Sequence, residues 1–140
     1  MKDKKSILSY AKDTINLQAS SIQNLNKLLT KDFERAVNLI NKSKGRVVIS
    51  GIGKSAIIAQ KIVATFNSTG TPSIFMHAAD AIHGDLGLIQ KDDIIICISK
   101  SGNTPEIKAL VPFIKKTNNK LIAITGETKS YLSDKSDIVI

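Results

Sequence analysis

The sequence predicts an α/β domain built on a doubly wound parallel sheet, and three observations predict it. Its strand candidates are near-continuous apolar runs, such as Val47-Val48-Ile49 and Ile94-Ile95-Ile96-Cys97-Ile98, which suit strands covered on both faces. Helical stretches alternate with these runs, the pattern of a parallel sheet with helices on either side. Two of the runs also pass directly into Ser/Gly turns, Ser50-Gly51-Ile52-Gly53-Lys54-Ser55 and Ser99-Lys100-Ser101-Gly102-Asn103-Thr104.

The elements follow in order. Ile7 with Leu8, then Ala11, Ile15, Ala19, Ile22, Leu25, and Leu28 with Leu29 recur at intervals of three and four, one apolar stripe on a long helix. A second helix carries Phe33, Ala36, Val37 and Ile40 and ends near Lys44 and Gly45, where glycine can terminate it. From Arg46 strands and helices alternate: strand 46–50, helix 54–68, and strand 73–76 after the turn Thr69-Gly70-Thr71-Pro72. A loop or short helix over 77–87 leads to strand 93–98, helix 105–117 and strand 120–125. A short stretch over 131–134 and a strand-like 137–140 close the chain. The expected organisation is one domain, with 1–45 as an N-terminal helical extension and 46–140 as the sheet domain. The last strand is starting where the sequence stops, and a bare edge is unfavourable. A truncated domain, or one completed by another subunit, is therefore expected. The N-terminal stripe is expected to pack on the main body or on a partner subunit, which suggests a homo-oligomer.

Composition narrows the function classes. The apolar fraction of 42% and charged fraction of 23% are ordinary for a globular protein, and no apolar run approaches a membrane span. Met1-Lys2-Asp3-Lys4-Lys5 is followed by no apolar signal core, and the single cysteine, Cys97, fits a reducing cytoplasm. Cys97 lies inside an apolar run and is read as a small buried hydrophobe. The net charge of +8 is concentrated early: residues 1–46 hold ten Lys and Arg against four acids, the remainder ten against eight. Without Trp, and with Tyr10 and Tyr131 far apart, this is a solvated helix face and not a nucleic-acid platform.

The chemistry sits in the two turns. A strand that runs through a glycine turn into a helix offers backbone N–H groups and hydroxyls at a helix N-terminus, an anion site usually filled by phosphate. In a flavodoxin-like strand order the first and third strands flank the switch point, so both turns would border one crevice. Other motifs fit poorly. Gly51-Ile52-Gly53-Lys54-Ser55 resembles the end of a Walker A loop, but the first glycine of that motif would fall at Val48. Gly51-x-Gly53-x-x-Ala56 resembles a dinucleotide fingerprint, yet no acid closes the second strand.

Single residues have mundane alternatives. Thr104 and Pro105 make a good helix start on capping grounds alone. Glu106 favours the positive helix end, but a carboxylate beside a phosphate site also suits proton transfer. Lys54 is either a surface lysine or a cation at the mouth of the turn. His77 and His83 share one loop, where a proton carrier or metal ligand competes with a structural role.

Taken together, Gly51-Ile52-Gly53-Lys54-Ser55, Ser68-Thr69-Gly70-Thr71-Pro72-Ser73, Ala81-Ile82-His83-Gly84-Asp85-Leu86-Gly87 and Ser99-x-Ser101-Gly102-x-x-x-Glu106-Ile107 resemble the sugar isomerase (SIS) domain. More narrowly, they resemble the KpsF/GutQ type, the arabinose-5-phosphate isomerases of Kdo, lipopolysaccharide and capsule synthesis. The resemblance implies catalytic roles for Lys54, Glu106 and His83. It implies substrate contacts at Gly51, Gly53, Ser55, Gly70, Thr71, His83, Ser99, Ser101, Gly102, Asn103 and Thr104, and a zinc position, structural or inhibitory, at His77. Asn103 stands where relatives often have Glu. The family pattern continues past the position of Ile140, with a further Glu and His for the site and often a pair of CBS domains. The implied reaction is reversible isomerisation of D-arabinose 5-phosphate and D-ribulose 5-phosphate through a cis-enediol(ate), with no required cofactor, in a cytoplasmic dimer or tetramer. Two rivals share the fold: a non-catalytic sugar-phosphate-binding regulator and an isomerase of a different sugar phosphate.

Overall fold

The computed structural model describes residues 6–140, so the N-terminal pentapeptide lies outside the described residues. The described residues divide into two compact units, one ending at Lys31 and one over 32–140. The first contains helix α1 (Ile7–Asn24) and a 3-10 turn (Leu25–Leu28). Ser6 caps α1 by accepting a hydrogen bond from the Ser9 N–H, and no residue of α1 is buried.

The second unit holds α2 (Lys31–Lys42) from its second residue on, β1 (Val47–Gly51), α3 (Lys54–Ser68) and β2 (Ser73–His77). Next come α4 (Ala78–Ala81), a 3-10 turn (Asp85–Leu88), β3 (Ile94–Ile98) and α5 (Pro105–Lys116). β4 (Lys120–Ile124), α6 (Tyr131–Lys135) and β5 (Ile138–Val139) complete it. α2 belongs to the sheet unit, because Ala36 is buried in the sheet's core and Leu39 and Ile40 pack beside it.

The sheet has five parallel strands in the order β2-β1-β3-β4-β5, the predicted doubly wound arrangement. Alternate residues face opposite layers. Val48, Ile95, Cys97, Leu121 and Ala123 meet Ile107, Leu110, Val111 and Ile114 of α5 and Leu132 of α6 on one side. Val47, Ile49, Ile94, Ile96 and Ile122 meet Ala36 of α2 and Ala59 of α3 on the other. Each such fully buried Ile or Leu stabilises the fold by roughly 1.5–3 kcal/mol. Cys97 is buried, as read from its apolar run, and burial pushes its thiol pKa up to about 12. Among the described residues no helix is long and apolar enough to cross a membrane.

The amino end of the sheet is pinned by one buried carboxylate. Asp93 accepts from the Arg46 N–H (2.8 Å), the Arg46 guanidinium (2.8 Å to Nη2) and the Gln90 N–H (2.9 Å). Arg46 Nη2 also donates to the Leu88 carbonyl at 2.7 Å, tying the segment between β2 and β3 to the foot of the sheet. Burial alone would raise the Asp93 pKa, but the Arg46 side-chain bond and the two backbone donors outweigh it and hold the carboxyl below its ordinary range.

Candidate functional site

β1 and β3 are neighbours whose crossovers leave to opposite sides, so the switch point lies between their carboxyl ends. Both Ser/Gly turns emerge there. A cleft of about 600 Å3 opens beside them, and five of the predicted residues line it: Ser55, Ser99, Ser101, Asn103 and Thr104. The local folding is dictated by hydrogen bonds that only these residue types supply. The Gly102 N–H donates to Ser99 O and Oγ, both at 3.2 Å, and the Asn103 N–H donates to Ser101 Oγ at 3.3 Å. Gly102 takes φ +61° and Gly53 φ +56°, left-handed conformations that glycine adopts without penalty.

The ends of the helices are informative. α1 and α6 have side-chain caps, from Ser6 and Ser130. α3 and α5, which begin at the cleft, have no side-chain cap bond, and neither does α4. Gly53 at the cap of α3 has no side chain to offer one, while Thr104 occupies the cap position of α5 and makes none. Thr104 Oγ1 is buried without a hydrogen-bond partner. A buried, unpartnered hydroxyl at a helix start, at the edge of an open cleft, is placed to donate to an anion oxygen.

The other predicted residues are distributed around this centre. Lys54 is the exposed first residue of α3, and Glu106 lies half-buried in the first turn of α5; neither side chain lines the cleft. Gly51 ends β1 opposite His77 in the register, so His77 also stands at the carboxyl end of the sheet. His83 is exposed in the segment between α4 and the following 3-10 turn. Gly70 and Thr71 are elsewhere: they precede β2 at the amino end of the sheet and line a separate cavity of about 410 Å3 with Gly45, Val47 and Phe66.

The donor set at His77 falls short of what zinc requires. Its Nδ1 is buried without a hydrogen-bond partner and lies 3.8 Å from an Asp80 oxygen. No group of three or more His, Cys, Asp or Glu gathers to hold a metal among the described residues, whereas zinc takes three or four protein ligands. These residues do not by themselves form a zinc centre.

Sequence reasoning missed the third wall. Gly126 and Glu127, from the loop that follows β4, complete the cleft beside Ile52 and Lys100 of the two turns. That loop is fastened to the β3–α5 turn. The Gly126 N–H donates to Lys100 O at 3.1 Å, the Leu132 N–H to Gly102 O at 3.0 Å, and the Tyr131 N–H to Asn103 Oδ1 at 3.2 Å. Asn103 Nδ2 donates to Ser101 O at 3.0 Å, so one end of its side chain is held within its own turn while the other reaches across to Tyr131. The available signal was topological: in such a sheet, β4 also ends at the ligand face.

Comparison with known proteins is consistent with this geometry. The SIS domain family matches residues 39–140. The arabinose 5-phosphate isomerase KpsF of Escherichia coli O6:H1 is 45% identical over 135 residues, 96% of this chain and 41% of that protein. The chain thus spans about two-fifths of the length of the curated relatives it matches. A solved structure from Listeria monocytogenes superposes with a TM-score of 0.91 at 35% identity, covering 99% of this chain and 73% of the other. An E. coli CFT073 protein in complex with arabinose 5-phosphate gives 0.77 at 41% identity, covering 92% and 72%. The switch-point cleft, the sequence match and the shared fold agree: this chain belongs to the SIS domain family.

Proposed function

We propose that this chain is the sugar-phosphate domain of an aldose–ketose isomerase that interconverts D-arabinose 5-phosphate and D-ribulose 5-phosphate. The observation that carries the reading is the uncapped pair of helix starts, α3 and α5, at a hydroxyl-lined cleft whose Thr104 Oγ1 lacks a partner. Relatives more than 40% identical are named for this activity, which supports the choice of sugar.

In this reading the phosphate rests on the hydroxyls of Ser55, Ser99, Ser101 and Thr104. From the ketose, Glu106 removes a proton at C1, and the electron pair forms the C1–C2 double bond of an enediolate. Return of a proton to C2 and transfer of the O1 proton to O2 yield the aldose. Lys54 stabilises the oxyanion and His83 assists the transfer between oxygens. The rearrangement is internally redox-balanced and calls for no redox cofactor. The same reading places the protein in the cytoplasm as a homo-oligomer, serving Kdo synthesis.

The test is incubation with ribulose 5-phosphate in D2O, followed by NMR. Arabinose 5-phosphate carrying deuterium at C2 is the expected product, and Glu106→Gln should abolish exchange while keeping sugar-phosphate binding. Exchange that survives in Glu106→Gln removes this residue from the role of base. A second reading, a sugar-phosphate binder without chemistry, is favoured by one observation: Lys54 and Glu106 do not line the cleft of this chain. Saturable binding with no deuterium incorporation would select it.

A further inference from the structure

We propose that Glu127 is a specificity-determining residue of the cleft, taking a hydroxyl of a singly phosphorylated sugar and rejecting ligands that carry a second phosphate. The inference rests on the sugar-phosphate reading above. Glu127 is neither in the two Ser/Gly turns nor among the residues implied by family resemblance; the fold brings it to the cleft from the loop after β4.

Its position is tightly set for an exposed residue. The Glu127 N–H donates to Thr125 Oγ1 at 3.2 Å, and its carbonyl accepts from Ser133 Oγ at 3.0 Å. The side chain is also anchored, because Oε1 accepts the Lys129 N–H at 2.9 Å. Oε2 is left without a protein donor among the described residues. The bond from the Gly126 N–H to Lys100 O fastens this loop to the turn that holds Ser99 and Ser101. The carboxylate is therefore held in fixed relation to the hydroxyl cradle.

The charge balance of the cleft then sets its ligand class. Its walls hold one cation, Lys100, and one anion, Glu127. The Ser and Thr hydroxyls with two uncapped helix starts satisfy one phosphate. A second phosphate in the same cleft would meet a fixed carboxylate, the repulsive element that specificity requires. A sugar hydroxyl instead donates to that carboxylate in a charge-assisted hydrogen bond. At about 600 Å3 the cleft has space for a polyol beyond the phosphate itself. A merely solvated surface glutamate would leave no mark on the choice of ligand.

The test is titration calorimetry of the wild type, Glu127→Gln and Glu127→Ala with inorganic phosphate, arabinose 5-phosphate and ribulose 1,5-bisphosphate. Phosphate affinity should stay within about twofold across the three proteins, while Glu127→Ala weakens arabinose 5-phosphate about five- to tenfold. Glu127→Gln, which keeps the shape and drops the charge, should tighten the bisphosphate at least about threefold relative to phosphate. Equal shifts for all three ligands, or none, overturn the role of Glu127 and leave the phosphate site standing. A wild type that binds neither phosphate nor arabinose 5-phosphate overturns both.

Discussion

Replacing Gly102 by alanine should damage the cleft, and the cost can be worked from geometry. Gly102 holds φ +61°, where an L-residue carries a penalty of about 1–2 kcal/mol. Its new Cβ would also collide with the Ser130 side chain, standing 2.6 Å from the Ser130 Cβ. Overpacking of this kind costs about 1–3 kcal/mol. The sum is about 2–5 kcal/mol, readable as a fall in urea midpoint at unchanged slope. The displaced turn carries Ser101 and Thr104, so phosphate affinity should fall about tenfold in the same protein. Gly102→Ala combined with Ser130→Gly separates the two contributions. Glycine at the α6 cap costs only a few tenths of a kcal/mol, so the double variant should recover about 1–3 kcal/mol, leaving the backbone strain. A Gly102→Ala protein within about 0.5 kcal/mol of wild type would refute the reasoning, as would a double variant no more stable than Gly102→Ala.

The remaining predictions concern the pin, the thiol and the orphan hydroxyl. Asp93→Asn sets an amide NH2 against N–H donors of Arg46 and Gln90 and should cost about 2–4 kcal/mol in urea unfolding at pH 7. Asp93 and Asp137 both titrate below the ordinary 3.8 when folded; at Asp137, burial is outweighed by the Leu121 N–H and by Lys115 and Lys120. The unfolded chain therefore holds more protons in that window. Their stabilisation is present in full above the unfolded value and is lost as pH falls through the lower folded values, and Asp93→Asn should flatten the acid limb of a Tm-against-pH curve. Cys97 should resist thiol reagents in the native protein and react as one thiol in urea, because it is buried with its pKa raised to about 12. Thr104→Val should leave stability within about 0.5 kcal/mol and weaken phosphate binding about fivefold, since its hydroxyl serves no protein partner.

What the sequence by itself determined is what local chemistry encodes. Continuous Ile and Val runs demand strands covered on both faces, and the sheet is parallel with a helical layer on each side. Ser/Gly turns at strand ends reveal themselves because only those residues combine hydroxyl donors with left-handed backbone, and Ser55, Ser99, Ser101, Asn103 and Thr104 do meet at one cleft. The tertiary structure alone decided which loops stand opposite one another. Glu127 lies 26 residues after Ser101 in the chain and reaches the cleft only because β4 pairs with β3. Asn103 lines the cleft and also braces it, since its Oδ1 accepts the Tyr131 N–H across the turn. Parallel pairing also set Gly70 and Thr71 at the end of the sheet away from this cleft, since the chain enters β2 there and leaves it at His77. Residue type fixes what a side chain can do within a few positions along the chain. Which distant side chains share a cleft depends on strand order and direction, and these follow from the packing of the whole sheet.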